Sequence, residues 1–282
     1  MITGMRASDN NHGQTVLSLF VSAAQRYGVP SRLRGDHGVE NIWVAAFMEH
    51  AHGEGRGSYI WGRYGLSFHA FSITYCFRSV HNVRIEHLWV DVSHYCSQIW
   101  HDLFTTLELR HGLDVSNVHH IWLLQHLFLG PINEQLTFWA ESWNQHRISQ
   151  SNRASRSPED MFGFDMLVNG FRGNSLEHFS MTDEELEVFG VDWEGLQDEV
   201  LLQSLRRNYN HEGSSSWLGR RGPPPDLNEV VVDPPSGPLT PQQIATLDEQ
   251  VQGFVRQPQE AEVALLWINA LASARAMEPT LF

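Results

Sequence analysis

Apolar positions in the first part of the chain recur at helical spacing. They lie three and four residues apart from Val16 to Tyr27, where a Gly and a Pro end the run. This spacing predicts an amphipathic helix of about four turns. The acid and two amides at 9–11 predict its N-terminal cap. Residues 31–34 then predict a short strand that leads to Asp36.

A second helix and a second strand follow. Residues 39–52 predict a helix, a group of glycines ends it, and residues 58–62 predict a strand. The apolar face predicted for this helix consists of Ile42, Trp43, Ala46, Phe47 and His50. Together with the long helix that comes next, the order helix–strand–helix–strand–helix predicts a mixed α/β (α+β) fold.

The later helices are longer. Residues 81–109 predict one long helix, and residues 121–129 and 132–147 predict two more, separated by a Gly-Pro pair. Trp139 and Trp143 lie four positions apart, where we favour core packing over stacking on bases. The buried stripe predicted for the long helix consists of Ile85, Leu88, Trp89, Val92, Cys96, Ile99, Trp100 and Leu103.

One interval departs from this pattern. Residues 64–78 are apolar, aromatic and almost free of charge, although they fall between a predicted strand and a predicted helix. Two interpretations remain open. In the first, residues 64–78 are translated from a retained intron, because codons for Arg63 and Arg78 can carry splice-like ends. In the second, they are a real insertion that forms a hairpin. In both cases we expect them to lie outside the core.

The composition changes after residue 170, which we take as the end of a first domain, 1–170. Residues 171–208 predict an acidic helical segment, and residues 209–239 are rich in Gly, Pro and Ser, as is typical of a linker. Residues 240–282 predict two terminal helices, the first of them capped by Thr240. The apolar side of the second comprises Val263, Leu266, Trp267 and Leu271.

The net charge of −14 is unevenly distributed. Residues 1–157 hold 12 Arg and 12 acids, whereas residues 158–282 hold 7 Arg and 21 acids. The overall charge therefore does not exclude nucleic acid as a partner of the first part. All 19 basic residues are Arg, which we attribute to coding composition.

Cysteine content and hydropathy exclude other classes. Two cysteines support neither a disulfide framework nor a Cys-rich zinc module, so we expect an intracellular protein. A membrane span is not predicted, because 18 consecutive apolar residues occur nowhere.

Two carboxylates carry the candidate chemistry. Asp36 follows a strand within the stretch Gly-Asp-His-Gly-Val-Glu-Asn, and Glu86 lies one turn inside the long helix. An acid at a strand end and an acid on a facing helix can hold Mg²⁺ ions about 3.5–4 Å apart. Either acid alone is more often simply solvated. The histidines at 119, 120 and 126 are another candidate metal group, but their apolar helix favours packing or hydrogen bonding.

Four features occur in a fixed order: the Asp-x-Gly turn at Asp36, the helical Glu86, a Trp-Asn-x-x-Arg segment at 143–147 and a Ser-Pro pair at 157–158. With this order, residues 8–170 resemble the integrase core domain of retroviral integrases and DDE transposases. The nearest likeness is to transposon-derived integrase-core proteins of mushroom-forming fungi.

The resemblance implies an RNase H-like fold and phosphoryl transfer on DNA in the nucleus. In such domains two Mg²⁺ ions are held by three carboxylates, of which Asp36 and Glu86 would be two. The resemblance also implies DNA contacts, and a homo-oligomer is an open alternative to a monomer. The residues that would contact DNA are Asn41, Arg63, His81, Asn82 and Arg84.

The sequence departs from the family pattern in two respects. Asp36 and Glu86 lie 50 positions apart, which falls to the usual 35 when residues 64–78 are removed. The family's leading Asp, on its first strand, would precede the first residue here, and Asp9 is a poor substitute. We therefore expect a core lacking its first strands and an inactive polypeptide. Two alternatives are a non-enzymatic interaction protein with an acidic tail and an unrelated helical scaffold.

Overall fold

A computed structural model describes residues 1–61, 83–150, 153–170, 227, 230–251 and 258–282. Its helices and strands, in chain order, are α1 (Gly13–Tyr27), β1 (Leu33–Gly35), α2 (Ile42–His52), β2 (Tyr59–Trp61), α3 (Val83–Val92), α4 (Gln98–Arg110), α5 (Val118–Gln145), β3 (Ile148–Gln150), β4 (Arg153–Arg156), α6 (Pro158–Asn169), α7 (Pro241–Gln250) and α8 (Glu260–Met277). A 3₁₀ turn, Val39–Asn41, precedes α2, and a π-helical turn, Ser93–Ser97, joins α3 to α4.

The chain forms two compact units. We call residues 1–10, 91–160 and 232–282 the helical unit, and residues 11–90 and 161–231 the strand unit. The predicted regions 64–78, 171–208 and most of 209–239 lie outside the described residues, so their predicted characters stay predictions.

The strand unit is built on a parallel pair of strands. β1 pairs with β2 in the register Leu33–Tyr59 and Gly35–Trp61, and α2 connects them. Both aromatic residues of β2 are buried and pack with Val44, Ala45 and Met48 of α2. The predicted order of helix, strand, helix and strand is confirmed as far as β2.

Two local predictions for the strand unit were wrong. The residue that caps α1 is His12, whose side chain makes no capping hydrogen bond, rather than a residue of 9–11. The core face of α2 consists of Val44, Ala45 and Met48, whereas Trp43 is 60% exposed. Since α2 is apolar on nearly every side, the residue spacing alone did not select the buried face. Exposed Trp43 instead covers Gly13, where a Cβ would overlap its ring.

The helical unit has an aromatic core. The rings of Trp100, Phe104 and Phe128 lie 5.5–5.7 Å apart, and the indole of the fully buried Trp267 donates to the His111 carbonyl. Helices α7 and α8 bury Leu247 and the predicted apolar positions 263, 267 and 271 in this core. The Thr240 capping box at the start of α7 is confirmed.

The long helix predicted over 81–109 is interrupted by the π-helical turn. Its predicted stripe is buried from Val92 onward at positions 96, 100 and 103, but Ile85, Trp89 and Ile99 are exposed. Gln135 of α5 braces the turn: its amide nitrogen donates to the Tyr95 carbonyl, and its oxygen accepts from the Trp100 indole at 2.7 Å. The extra residue of a π turn rotates the two halves of the stripe relative to each other.

The predicted break at Gly130-Pro131 was wrong, because α5 continues through Pro131. A proline removes one backbone hydrogen bond. Core packing offsets this loss, since Phe128 and Leu136 are buried on either side, and the Asn133 amide donates to the Leu129 carbonyl at 2.8 Å. Trp139 stacks on Trp143 and packs against the core, as predicted.

The histidines of α5 are packed or hydrogen-bonded. His120 is buried and accepts from the Asp114 backbone N–H, and His126 pairs with Asp248 at 2.7 Å. The part of the chain that the structure describes contains no group of three or more His, Cys, Asp or Glu side chains that could hold a metal ion. Among the same residues there is no helix long and apolar enough to cross a membrane.

Candidate metal centre

Asp36 lies where the sequence placed it, directly after a strand. Its side chain is exposed at the C-terminal end of β1, beside the parallel strand β2. Asn41, the last residue of the 3₁₀ turn, donates from Nδ2 to the Asp36 Oδ1 atom at 2.6 Å. The turn therefore folds back on the carboxylate and fixes one of its oxygens.

Two glycines make this turn compact. The Tyr59 ring crosses Gly35 so closely that a Cβ there would overlap its hydroxyl group, and a Cβ at Gly38 would overlap the Glu40 carboxylate. Neither glycine has a positive φ. Because the Tyr59 ring is buried, Gly35 needs glycine for this close approach, whereas at Gly38 the flexible Glu40 carboxylate could move aside.

The neighbouring His37 anchors the turn from inside. It is buried, and its ring meets the Trp61 ring edge-on with centroids 5.9 Å apart. Consecutive residues therefore point in opposite directions: His37 packs on β2 while Asp36 reaches solvent. Because His37 is packed inside the strand unit, the Asp36 carboxylate is held at the surface of that unit.

The centre has a negative electrostatic environment. Burial, followed by the charge of Asp36, raises the pKa of Glu40, and a hydrogen bond from its own backbone partly opposes the shift. Burial and then the charges of Asp36 and Glu40 raise the pKa of the Tyr59 hydroxyl. Because these groups resist ionising beside Asp36, a bound cation would lower the electrostatic free energy of the centre.

Glu40 and Tyr59 are site residues that sequence analysis did not identify. Glu40 carried a weak signal, its position four residues after Asp36 and next to Asn41. Tyr59 carried none in the local sequence, because its approach to Gly35 depends on the register between β1 and β2.

The other predicted ligand is only partly visible. Glu86 is the fourth residue of α3, and Arg84 the second, but their side chains lie outside the described part of the structure. Arg63, His81 and Asn82 are outside it entirely. The structure thus brings Asp36 and Asn41 together, and the Asp36–Glu86 pairing stays a prediction.

The two later motifs have structural partners. The Asn144 side-chain amide exchanges two hydrogen bonds with the backbone of Ile2, at 2.6 and 2.8 Å. Ser157 is buried, and its hydroxyl accepts from the Asp160 backbone N–H at 3.0 Å, which caps α6 at Pro158. The Asn of the first motif therefore binds the backbone of Ile2 within the helical unit, and the Ser of the second motif caps α6.

Comparison with known families decides the relationship. A family model described as an integrase core domain matches residues 1–175, more than half of the 282. The chain belongs to the integrase core domain family. Its core therefore has RNase H-like ancestry, with which the parallel β1–β2 pair and the α2 connection are compatible. No curated protein and no solved structure matches this integrase core.

Integrase cores generally use Mg²⁺, and the donors at this centre suit that ion. Mg²⁺ prefers hard oxygen ligands and keeps several waters, so an exposed carboxylate at a strand end is a suitable first ligand. Asp36 meets that requirement, and Glu40 adds negative charge next to it. Asp36 and, by family position, Glu86 would hold the ion.

Proposed function

We propose that this integrase core descends from the DNA strand-transfer domain of a transposable element, close to those of fungi. Asp36 and Glu86 are two of its metal ligands. Support comes from the exposed Asp36 carboxylate at the end of β1, held by Asn41 in a negative environment. When bound, Mg²⁺ would activate the attacking oxygen and stabilise the leaving oxygen of a phosphodiester.

The chain's own residues prepare this centre. Asn41 holds one Asp36 oxygen in place and leaves the other to accept a ligand. Glu40, whose pKa is raised, retains its proton to a higher pH than a solvated glutamate does. A proton at Glu40 reduces the repulsion around Asp36 when no cation is bound.

The 282 residues do not catalyse strand transfer by themselves. The family chemistry uses three carboxylates, and two acids of this sequence occupy the family positions. Asp9, the third candidate, already accepts hydrogen bonds from Asn10 and Ser8 on the Oδ1 atom. Two carboxylates are too few to fix the positions of two metal ions. Misplacing a reacting group by about 1 Å can already cost on the order of 10²-fold in rate.

The activity part of the proposal is tested on supercoiled plasmid with Mg²⁺ or Mn²⁺. We expect no nicking by the chain or by its Glu86→Gln variant. Metal-dependent nicking that Glu86→Gln abolishes would contradict the inactivity and would show that a further acid completes the centre.

DNA is the partner we propose for the first part of the chain, and the nucleus its location. Arg63 and Arg84 flank the candidate centre in sequence. Replacing both with Ala should weaken binding to duplex DNA and reduce its salt dependence. Arg110→Ala, at an exposed position in α4, is the matched control. Equal affinities for both variants would remove these arginines from the interface.

A second candidate function is non-enzymatic binding through the acidic C-terminal part. Residues 158–282 carry the whole net charge of −14, which favours a basic partner and repels DNA. Neutralising exposed acids of this part in the full chain, as in Glu249→Gln with Glu262→Gln, should raise the DNA affinity at low salt if the acidic part repels DNA. Homo-oligomerisation is compatible with either function.

A further inference from the structure

A short antiparallel ribbon follows α5 and begins with the Arg of the Trp-Asn-x-x-Arg motif. We call residues 147–156 the ribbon, in which β3 pairs with β4. Residues 142–158 contain three arginines and no aspartate or glutamate, in a chain whose net charge is −14. The ribbon is therefore a local concentration of positive charge in an acidic chain.

Aromatic packing fixes the point at which the ribbon leaves α5. The indole of Trp143 stacks on Trp139 with centroids 5.6 Å apart, and it meets the His146 ring at 4.4 Å. The Nδ1–H of His146 donates to the Trp143 carbonyl at 2.6 Å. Because Trp143 has ring neighbours on two sides and Trp139 packs against the core, neither indole is available for stacking on bases. Recognition is left to the polar side chains of the ribbon.

The strand register distributes the arginines along the ribbon. Because Ile148 pairs with Arg156, Arg147 and Arg156 lie at the same end, and both are exposed. Arg153 pairs with Gln150 at the other end, three residues or about 10 Å of strand away from Arg156. One strand of duplex DNA places a phosphate about every 3.4 Å of helix axis, so this length spans about three phosphates. A two-stranded ribbon also fits the width of the major groove.

The composition of the ribbon favours phosphate as its ligand. A guanidinium group binds a phosphate through two parallel hydrogen bonds. Most of the other side chains carry a hydroxyl or an amide, and such groups contact phosphate and sugar in DNA complexes. They are Ser149, Gln150, Ser151, Asn152 and Ser155. A membrane surface is a poorer partner, because the serine and asparagine between the two strands offer no apolar group to enter the lipid.

We propose that the three arginines of the ribbon bind the phosphate backbone of duplex DNA without reading its base sequence, as a contact in addition to Arg63 and Arg84. The inference rests on the proposed DNA partner, and integrase cores generally bind DNA. It gives Arg147 a binding role within a motif whose Asn binds the backbone of Ile2. The ribbon belongs to the helical unit and Asp36 to the strand unit, so the variants of the test leave the metal centre unchanged in sequence.

The test compares two full-length variants that lose the same charge. The ribbon variant carries Arg147→Gln, Arg153→Gln and Arg156→Gln. The control variant carries the same replacement at three exposed arginines on helices, Arg26, Arg110 and Arg275. Fluorescence anisotropy measures the affinity for a short duplex over a series of salt concentrations.

The salt dependence reports the number of phosphate contacts. Each lost contact should reduce the slope of log affinity against log salt by about 0.9, so the ribbon variant should lose about 2–3 in slope and bind roughly tenfold more weakly at low salt. The control variant should keep the slope of the unmodified chain. Two duplexes of equal length and different sequence should bind the unmodified chain equally, and a strong preference for one of them would overturn the backbone contact.

A second variant separates phosphate binding from the folding of the ribbon. Lys at positions 147, 153 and 156 retains the charge and should therefore retain the salt slope, although it binds phosphate without the bidentate geometry of Arg. A slope as shallow as that of the Gln variant would overturn the assignment of these positions to phosphate.

The remaining outcomes distinguish this inference from the proposed function. Equal affinity of the ribbon and control variants for DNA, with weaker binding by Arg63→Ala and Arg84→Ala together, would overturn the ribbon contact alone. No DNA binding by the unmodified chain would overturn the proposed partner and this inference with it. Vesicles of phosphatidylserine and phosphatidylcholine test the other anionic surface. Binding to these vesicles, but not to DNA, that depends on the ribbon arginines would overturn the assignment to DNA.

Discussion

Asn41 donates a 2.6 Å hydrogen bond to Asp36, its neighbour five residues earlier, and so fixes the one predicted metal ligand whose surroundings are described. The contact assigns Asn41 a positioning role, whereas the family resemblance implied a DNA contact. The two roles are compatible, because the hydrogen bond to Asp36 uses the side-chain nitrogen of Asn41 and not its side-chain oxygen.

Replacing Asn41 with Ala should weaken cation binding more than it weakens the fold. The loss of one exposed hydrogen bond costs about 0.5–1.5 kcal/mol at most, whereas a mobile Asp36 oxygen no longer meets the ion in a fixed geometry. Titration with Mn²⁺ followed by electron paramagnetic resonance should show a several-fold weaker affinity. Gln25→Ala, at an exposed position of α1, is the control, and equal affinities for both variants would remove Asn41 from the centre.

Gly35→Ala should destabilise the strand unit by about 1–3 kcal/mol, the usual cost of overpacking. The added Cβ overlaps the Tyr59 hydroxyl. Tyr59→Phe in the same chain should restore part of the loss, because the nearest atom is removed. Urea unfolding measures both effects.

Gly130→Ala is the control for this pair, since its Cβ would meet no atom within 4 Å in the interior of α5. It should stabilise the chain by about 0.5–1 kcal/mol through helix propensity. A Gly35→Ala variant as stable as the unmodified chain would contradict the close approach of Tyr59 to β1.

The Glu40 carboxyl should make stability fall as the pH rises. Its pKa is raised in the folded chain by burial and by Asp36, so between its ordinary value of 4.5 and the raised value the folded state binds more protons than the unfolded state. The free energy of unfolding therefore decreases as the pH increases through that interval. Below 4.5 both states are protonated and the penalty disappears.

Glu40→Gln should remove this slope and stabilise the chain at neutral pH relative to Glu108→Gln, an exposed control on α4. Urea unfolding across the acidic to neutral range is the measurement. Parallel pH profiles for the two variants would show that Glu40 does not titrate abnormally.

Deleting residues 64–78 should leave the unfolding transition of the chain intact and preserve or raise its solubility. The reason is their apolar, nearly uncharged sequence between two regular elements, which is an association hazard at a surface. Differential scanning calorimetry compares the two chains. A large loss of stability on deletion would show that these residues belong to the core.

The order of the first elements was predictable because its signals are local. Helical spacing specified α1, and Gly and Pro marked the ends of α1 and α2. The α2 face was not predictable, since Trp43 and Met48 have similar hydrophobicity and only the tertiary contacts select Met48 for the core. Pro131 was misleading for the same reason: packing along α5 overrides a local rule.

Site residues were predictable where the chemistry is written in one short motif. Asp36 and Asn41 belong to one seven-residue stretch, and the structure brings them into contact. The partner of Asn144 is Ile2, 142 positions away, and no pattern in the sequence links them. Tyr59 reaches Gly35 only after β1 and β2 pair.

The central claim is that Asp36 and Glu86 bind one cation centre. Mn²⁺ affinity, measured for the unmodified chain, Asp36→Asn, Glu86→Gln and the double variant, tests it most directly. If both acids bind the same ion, each single change should weaken binding at least about tenfold, and the double change should add much less than the sum, since residues that share a ligand are not additive. Glu108→Gln should bind Mn²⁺ as the unmodified chain does. Unchanged affinity in Glu86→Gln, or independent and additive losses, would contradict the account.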